Sequence, residues 1–197
     1  MRIGVLAVQG SFSLHARMLN AIGVKPVEVR RVSDLKDLDG IILPGGESTA
    51  FQIIMNTDDL GDQLHRKLQS GLPAWGTCAG AIILGHNKDG PLPGWSLVDI
   101  EVVRNGYGRQ VDSFVAPLKV SGMAGDFQGV FIRAPVFLNP GQEVDVLAEF
   151  KDDPVMASQD NLLMTSFHPE LTSDTRLHEY FVQHFCVRSD LGDKKSA

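Results

Sequence analysis

The chain has 197 residues, a formal net charge of -6 and a hydrophobic fraction of 43%. That length suits one domain with a sizeable core, and the acidic balance without a basic stripe excludes nucleic acid as the main partner. No stretch is long enough to span a membrane, and the opening apolar run is too short for a signal peptide. The two cysteines, Cys78 and Cys186, are read as reduced, which suits a cytoplasmic setting.

Arg2 to Val8 is a continuous apolar run, as expected of a strand covered on both faces. Gln9-Gly10-Ser11 ends it. Leu14, Met18 and Ile22 then recur at helical spacing, and Gly23 stops the helix. Pro26–Arg30 and Asp39–Leu43 read as two more strands, the second ending in Pro44-Gly45-Gly46-Glu47-Ser48. A helical stretch spans about 49–69, with a break near 56–61. Pro73 to Thr77 forms a further short strand, and Ala81 to Gly85 a buried helix. This alternation implies a parallel sheet with helices on both faces. Ligands in such sheets sit at the carboxyl ends of the strands, where Gln9-Gly10, Gly45 to Ser48 and Cys78 all fall.

The middle of the chain changes character. Asn87 to Trp95 is a Gly- and Pro-rich loop. Short β runs follow at Leu97–Val103, Ser113–Val120, Gly129–Ile132, Glu143–Phe150, Pro154–Ala157 and Leu162–Thr165, expected as mixed or antiparallel additions. A last helix starts near Thr172-Ser173-Asp174 and shows an apolar face of Leu177, Tyr180, Phe181 and Phe185. The expected fold is α/β, a three-layer sandwich around a mostly parallel central sheet with a few added antiparallel strands. Residues 1–188 read as a single domain and 189–197 as a flexible tail.

Gly76-Thr77-Cys78-Ala79-Gly80 sits between strand and helix, the layout of a nucleophile elbow. Its glycines let the backbone fold back sharply so that the sulfur stands clear. The N–H groups of the following helix favour a thiolate there. A lone cysteine is more often a buried, inert one, so the catalytic reading needs a base. Of the six histidines, His15, His65, His178 and His184 lie in helical patterns among polar neighbours and are expected to face solvent; His86 lies beside a loop. His168 differs, standing at the end of an apolar strand in Phe167-His168-Pro169-Glu170. Proline restrains His168 to an extended conformation, and residues two apart then share a side, so Glu170 can orient the imidazole. A His-Pro-Glu alone is as often an exposed strand end; beside an elbow cysteine it reads as base and orienter. The Gly45-Gly46 turn, with the N–H of Ala79, is the natural oxyanion element, although a Pro-Gly-Gly after a strand is usually only a turn.

These residues carry a family resemblance. The elbow together with His168-Pro169-Glu170 resembles the triad of class I glutamine amidotransferases. Leu43 to Thr49, Arg104-Asn105 with Gly108 to Phe114, Ile132-Arg133-Ala134-Pro135 and Ser166 to Thr172 are similar to the glutaminase subunits of pyridoxal 5′-phosphate synthases. The resemblance runs from about residue 2 to residue 186. It implies that Cys78 is the nucleophile and that His168 and Glu170 complete the relay. It also implies glutamine contacts from Gly46, Glu47, Ser48, Arg104, Ile132 and Arg133. It does not assign which of Glu47 and the two arginines meets which end of the zwitterion, and a strand-end Arg is ordinarily a surface salt-bridge residue. Departures at Ala50-Phe51-Gln52, at Gly106 and in the loop 85–94 bear on partner fit and leave the triad untouched.

The resemblance implies hydrolysis of L-glutamine to L-glutamate and ammonia through a Cys78 thioester, with no metal and no cofactor in this chain. The ammonia is expected to pass to a synthase partner that makes pyridoxal 5′-phosphate, in a hetero-oligomer. Such subunits are often poorly active until the partner docks, and Gln9-Gly10 and the Gly45-Gly46 peptide are places for that switch. Three other readings compete: a glutaminase serving another biosynthetic partner, a stand-alone cysteine hydrolase, and a non-catalytic scaffold. The intact Cys78, His168 and Glu170 oppose the last.

Overall fold

The computed structural model describes residues 1–8, 10–46, 59–87, 94–104 and 113–187. The first half of the chain alternates strand and helix: β1 (Arg2–Leu6), α1 (Phe12–Ala21), β2 (Lys25–Val29), β3 (Gly40–Leu43), α2 (Leu60–Gln69), β4 (Ala74–Thr77) and α3 (Ala79–Leu84). The second half is strand-rich: β5 (Glu101–Val103), β6 (Ser113–Lys119), β7 (Asp126–Ile132), β8 (Val136–Leu138), β9 (Asp145–Phe150), β10 (Asp153–Gln159) and β11 (Leu162–Thr165). It closes with α4 (Arg176–Phe181), which runs on as a π-helical turn over Val182–Cys186.

Seven strands form the central sheet in the order β2-β1-β3-β4-β11-β10-β9. Strands β2, β1, β3, β4 and β11 run parallel, and β10 and β9 add antiparallel to β11. The pairs β5–β8 and β6–β7 stand apart as antiparallel ribbons. The expected sandwich with a mostly parallel sheet is therefore what forms. One expectation needs refinement: the Leu162–Thr165 run is a central parallel strand beside β4. That places the start of the His168 segment next to the elbow.

Strand residues alternate between two cores, as the two-residue period of a strand requires. Ile41, Leu43, Ala74, Leu162 and Met164 face one core, which α2 and α3 cover through Leu60, Leu64, Leu68, Ala79, Ala81 and Leu84. Ile3, Val5, Ile42, Trp75 and Leu163 face the other, covered by Leu19 of α1, Leu177 and Phe181 of α4, and Phe127 and Phe131 of β7. Burial on both faces explains why these strands read as unbroken apolar runs. Helix α2 begins at Leu60; the rest of the expected helical stretch, 49–58, with most of its expected break, lies outside the described residues.

The buried face of α1 is turned from the expected one. His15, Met18 and Leu19 point inward, while Leu14 and Ile22 are only half-buried. Strand β5 is shorter than the expected 97–103 run, and β8 was not foreseen. The last helix begins at Arg176 with Thr175 as N-cap, just beyond the expected caps Thr172-Ser173-Asp174. Both cysteines are free. Cys186 is a packing residue, because a Cβ on Gly40 of β3 would lie 2.5 Å from its sulfur. Burial, with Asp39 nearby, pushes its thiol pKa up to about 12.

Candidate active site

The C-terminal ends of β1, β3, β4 and β11 meet at one edge of the sheet. Cys78 leaves β4 with φ 49° and ψ -105°, a sparsely populated conformation that costs roughly 1–3 kcal/mol for a residue with a side chain. The surrounding structure holds it there. Its N–H donates to the Thr165 carbonyl at 2.8 Å, and its own carbonyl accepts from Ala81 and Ile82 at 3.1 and 3.3 Å. The two elbow glycines are required by contact. A Cβ at Gly76 would sit 2.6 Å from the Gly80 carbonyl oxygen, and one at Gly80 would run into the Leu43 carbonyl of β3. The sulfur-bearing residue is half-buried, at the mouth of the sheet edge.

His168 stands beside Cys78, both side chains lying against Gly45, and its Nδ1 is 2.9 Å from Glu170 Oε1 on the other side. Its backbone N–H donates to the Val130 carbonyl of β7 at 2.8 Å, which pins the ring's origin. The reach of Glu170 has a different origin from the expected one. Pro169–Leu171 is a 3-10 turn with His168 as its N-cap, so a turn, not a straight extended segment, brings the carboxylate back to the ring. The His168 side chain is 11% exposed and that of Glu170 0%. Burial pulls the His168 pKa down, but the hydrogen bonds and charges of Cys78 and Glu170 outweigh it and raise it to about 10. Burial pushes Glu170 up, and His15, His168 and the Ser11 hydroxyl outweigh that, holding its pKa at about 2.

His15 and His178, expected at the surface, are fully buried beneath the triad. His15 Nδ1 lies 2.9 Å from His178 Nε2, and both rings meet Trp75 edge-on. His15 Nε2 lies 3.3 Å from Glu170 Oε2 and 3.4 Å from Thr77 Oγ1. The Ser11 hydroxyl donates to Glu170 Oε1 at 2.5 Å. Burial lowers both histidine pKa values, that of His178 to about 3. Ser11 and His15 are four apart at the start of α1, one above the other on one face. That spacing after the Gly10 turn was the available signal, and polar neighbours masked it. His184 is exposed as expected, whereas His65 is half-buried and stacks on Trp95 at 5.1 Å.

The other anticipated residues divide. Gly45 lies against the triad: a Cβ there would be 2.5 Å from His168 Cε1 and 3.2 Å from Cys78 Cβ. Its N–H donates to Thr77 Oγ1 at 3.0 Å, and its carbonyl accepts from Ser11 N–H at 3.4 Å. Across the trans Gly45-Gly46 peptide, the Gly46 N–H points away from Ser11. Ala79 is the first residue of α3, so its N–H has no acceptor within the helix. Ile132 ends β7 two residues beyond Val130, and Arg133 follows with φ 43°. Arg104 follows β5, in a different strand pair. Gln9, Glu47, Ser48 and residues 105–112 lie outside the described residues.

A thiol at an elbow, an imidazole and a buried carboxylate at the carboxyl edge of a doubly wound sheet can carry out hydrolysis or acyl transfer through the thiol. Comparison with known proteins narrows the class. Residues 5–187 match the profile of the SNO glutamine amidotransferase family. The chain is 49% identical to a pyridoxal 5′-phosphate synthase subunit PdxT of Dehalococcoides mccartyi, over 93% of this chain and 96% of that protein. A protein of the same name from Methanocorpusculum labreanum is 48% identical over 93% of this chain and 97% of its own. A crystal structure of a glutamine amidotransferase superposes with a TM-score of 0.86 at 44% identity, covering 91% of this chain and 96% of that one. The structure of PurLQS from Thermotoga maritima shares the fold at 16% identity and a TM-score of 0.69, covering 93% of this chain and 98% of the matched one. The chain belongs to the SNO glutamine amidotransferase family.

Proposed function

We propose that this chain is the glutaminase subunit of a pyridoxal 5′-phosphate synthase, hydrolysing L-glutamine to L-glutamate and ammonia and passing the ammonia to a synthase partner. The observation that carries the chemistry is the grouping of Cys78, His168 and Glu170 on the carboxyl edge of the sheet, with His168 Nδ1 2.9 Å from Glu170 Oε1 and both His168 and Cys78 against Gly45. His168 takes the thiol proton of Cys78, and the thiolate attacks the side-chain amide carbon of glutamine. N–H groups of Gly46 and Ala79 receive the oxyanion. Collapse of the tetrahedral intermediate expels ammonia, which takes its proton from His168. His168 then deprotonates a water that attacks the thioester, and glutamate leaves with Cys78 restored as the thiol. Glu170 stays ionised and stabilises the imidazolium in both halves.

Glu47, Ser48, Arg104, Ile132 and Arg133, with Gly46, form the glutamine-binding set, an acidic group for the ammonium and donors for the carboxylate. The choice of a pyridoxal 5′-phosphate partner rests on relatives that bear that name and match over nearly their whole length. Docking of the partner acts through the Gly10 and Gly45-Gly46 contact, where no side chain fits at position 10 against the Gly45 carbonyl. Among the described residues no helix is long and apolar enough to cross a membrane. The cytoplasmic location is read from the two cysteines, both free. Glutamate release from glutamine tests the reading. With the synthase present, wild type should turn over and Cys78→Ala should not. Without it, wild type should be slower. Equal rates with and without the synthase would reject the dependence on the partner.

A further inference from the structure

We infer that His15 is a positioning residue for the proposed glutaminase reaction: a neutral imidazole on α1 whose Nε2–H holds Glu170 and Thr77, and through them both the His168 ring and the Gly45 turn. This rests on the glutaminase reading and deepens it.

Glu170 is fully buried, and its two oxygens are served unequally. Oε1 takes the Ser11 hydroxyl and His168 Nδ1. Oε2 takes no aligned hydrogen bond among the described residues, and His15 Nε2 stands 3.3 Å from it. A bare nitrogen lone pair there would face an ionised carboxylate, so Nε2 carries the proton. Nδ1 of the neutral ring is then an acceptor, and His178 Nε2 donates to it at 2.9 Å. His178 Nδ1 is left bare, and it is a buried atom without a hydrogen-bond partner among the described residues. The chain of tautomers is thus consistent from α4 through α1 to Glu170. The groups facing His15 are His178, Glu170, Thr77 and Trp75, with His168 beyond Glu170. Burial keeps His15 neutral against the pull of Glu170.

The same Nε2–H lies 3.4 Å from Thr77 Oγ1, which accepts the Gly45 N–H at 3.0 Å. One ring therefore sits between the carboxylate that orients the base and the turn offered as the oxyanion element. Without its N–H, a buried carboxylate oxygen loses its nearest donor, so Glu170 turns from His168 or takes up a proton.

The discriminating pair is His15→Gln and His15→Met, similar in length and volume, of which only the first can donate. Glutamine turnover with the synthase partner and alkylation of Cys78 by iodoacetamide in the free chain are followed from pH 5 to 9. His15→Gln should keep kcat within about threefold of wild type, and His15→Met should lose about tenfold or more with little change in KM. Cys78 alkylation near neutral pH should slow in His15→Met and not in His15→Gln. Equal behaviour of the two variants in both assays would overturn the proposal. If His15→Met does not fold, Ser11→Ala serves: an unchanged alkylation profile there counts against anchoring of Glu170 from α1. Wild type failing to release glutamate would remove the glutaminase reading, while the alkylation comparison would still decide the role of His15.

Discussion

At the scale of single residues, the site depends on which proton sits where. Glu170 accepts from His168 Nδ1, which leaves Nε2 for the Cys78 thiol. Replacing Glu170 by Gln keeps the shape but can present an N–H to Nδ1, which favours the opposite tautomer. Glu170→Gln should therefore lower kcat for glutamine by roughly two to four orders of magnitude, with a smaller change in KM, in steady-state glutamate release. Full activity in that variant would remove Glu170 from the relay. The three residues of the proposed triad were legible because local sequence marks each: glycines flank Cys78, and Pro169 ties His168 to Glu170. Ser11, His15, Thr77 and His178 were not legible. Each is an ordinary polar residue in a helix or strand or, for Ser11, at a helix cap, and its meaning comes from elements that meet only in three dimensions.

At the scale of elements, the elbow works because β3, β4 and α3 approach with no room for side chains. Gly80→Ala places a Cβ against the Leu43 carbonyl, so α3 must move off β3. Overpacking against backbone costs about 1–3 kcal/mol or more, because a carbonyl in a central strand cannot yield as a flexible side chain does. Gly71→Ala is the contrasting case, with φ +97° and open space around it. It should cost only the backbone strain, about 1–2 kcal/mol. Urea unfolding should thus rank Gly80→Ala below Gly71→Ala, and glutaminase activity should fall in the first alone. The reverse order would mean that α3 can slide. The strands β1, β3 and β11 were readable because burial on both faces leaves them apolar except for Arg2 and Thr165 at their ends. Helix α1 was misread in phase because its inward stripe contains a histidine, so a pattern of apolar residues alone pointed about one residue off. Strand β8, only Val136–Leu138 and just after Pro135, is too short to show a period.

At the scale of the whole molecule, the buried titratable cluster should set how stability depends on pH. His178 has its pKa lowered to about 3 by burial and by His15, and His15 is lowered by burial against the opposing pull of Glu170. In the unfolded chain both take up protons below about pH 6.5, and the folded chain refuses them. Stability is therefore full above that pH and falls as the pH drops below it. Glu170, held at about 2, adds a loss of the same sign, but only from about pH 4.5 downward. The interval between pH 6.5 and 5 thus isolates the histidines. His168 acts oppositely. Raised to about 10 by Cys78 and Glu170 against burial, it contributes stability below pH 6.5 that is lost as pH rises toward 10. Stability should peak near pH 6.5, with Tm falling on both sides by roughly 2–4 °C per kcal/mol for a chain of this size. His178→Gln, which can still donate to His15, should flatten the decline between pH 6.5 and 5. Cys78→Ala should leave that acid limb in place and make the alkaline limb shallower. An acid limb unchanged in His178→Gln would mean that other groups carry the proton uptake, and that the buried pair opens to water before it titrates.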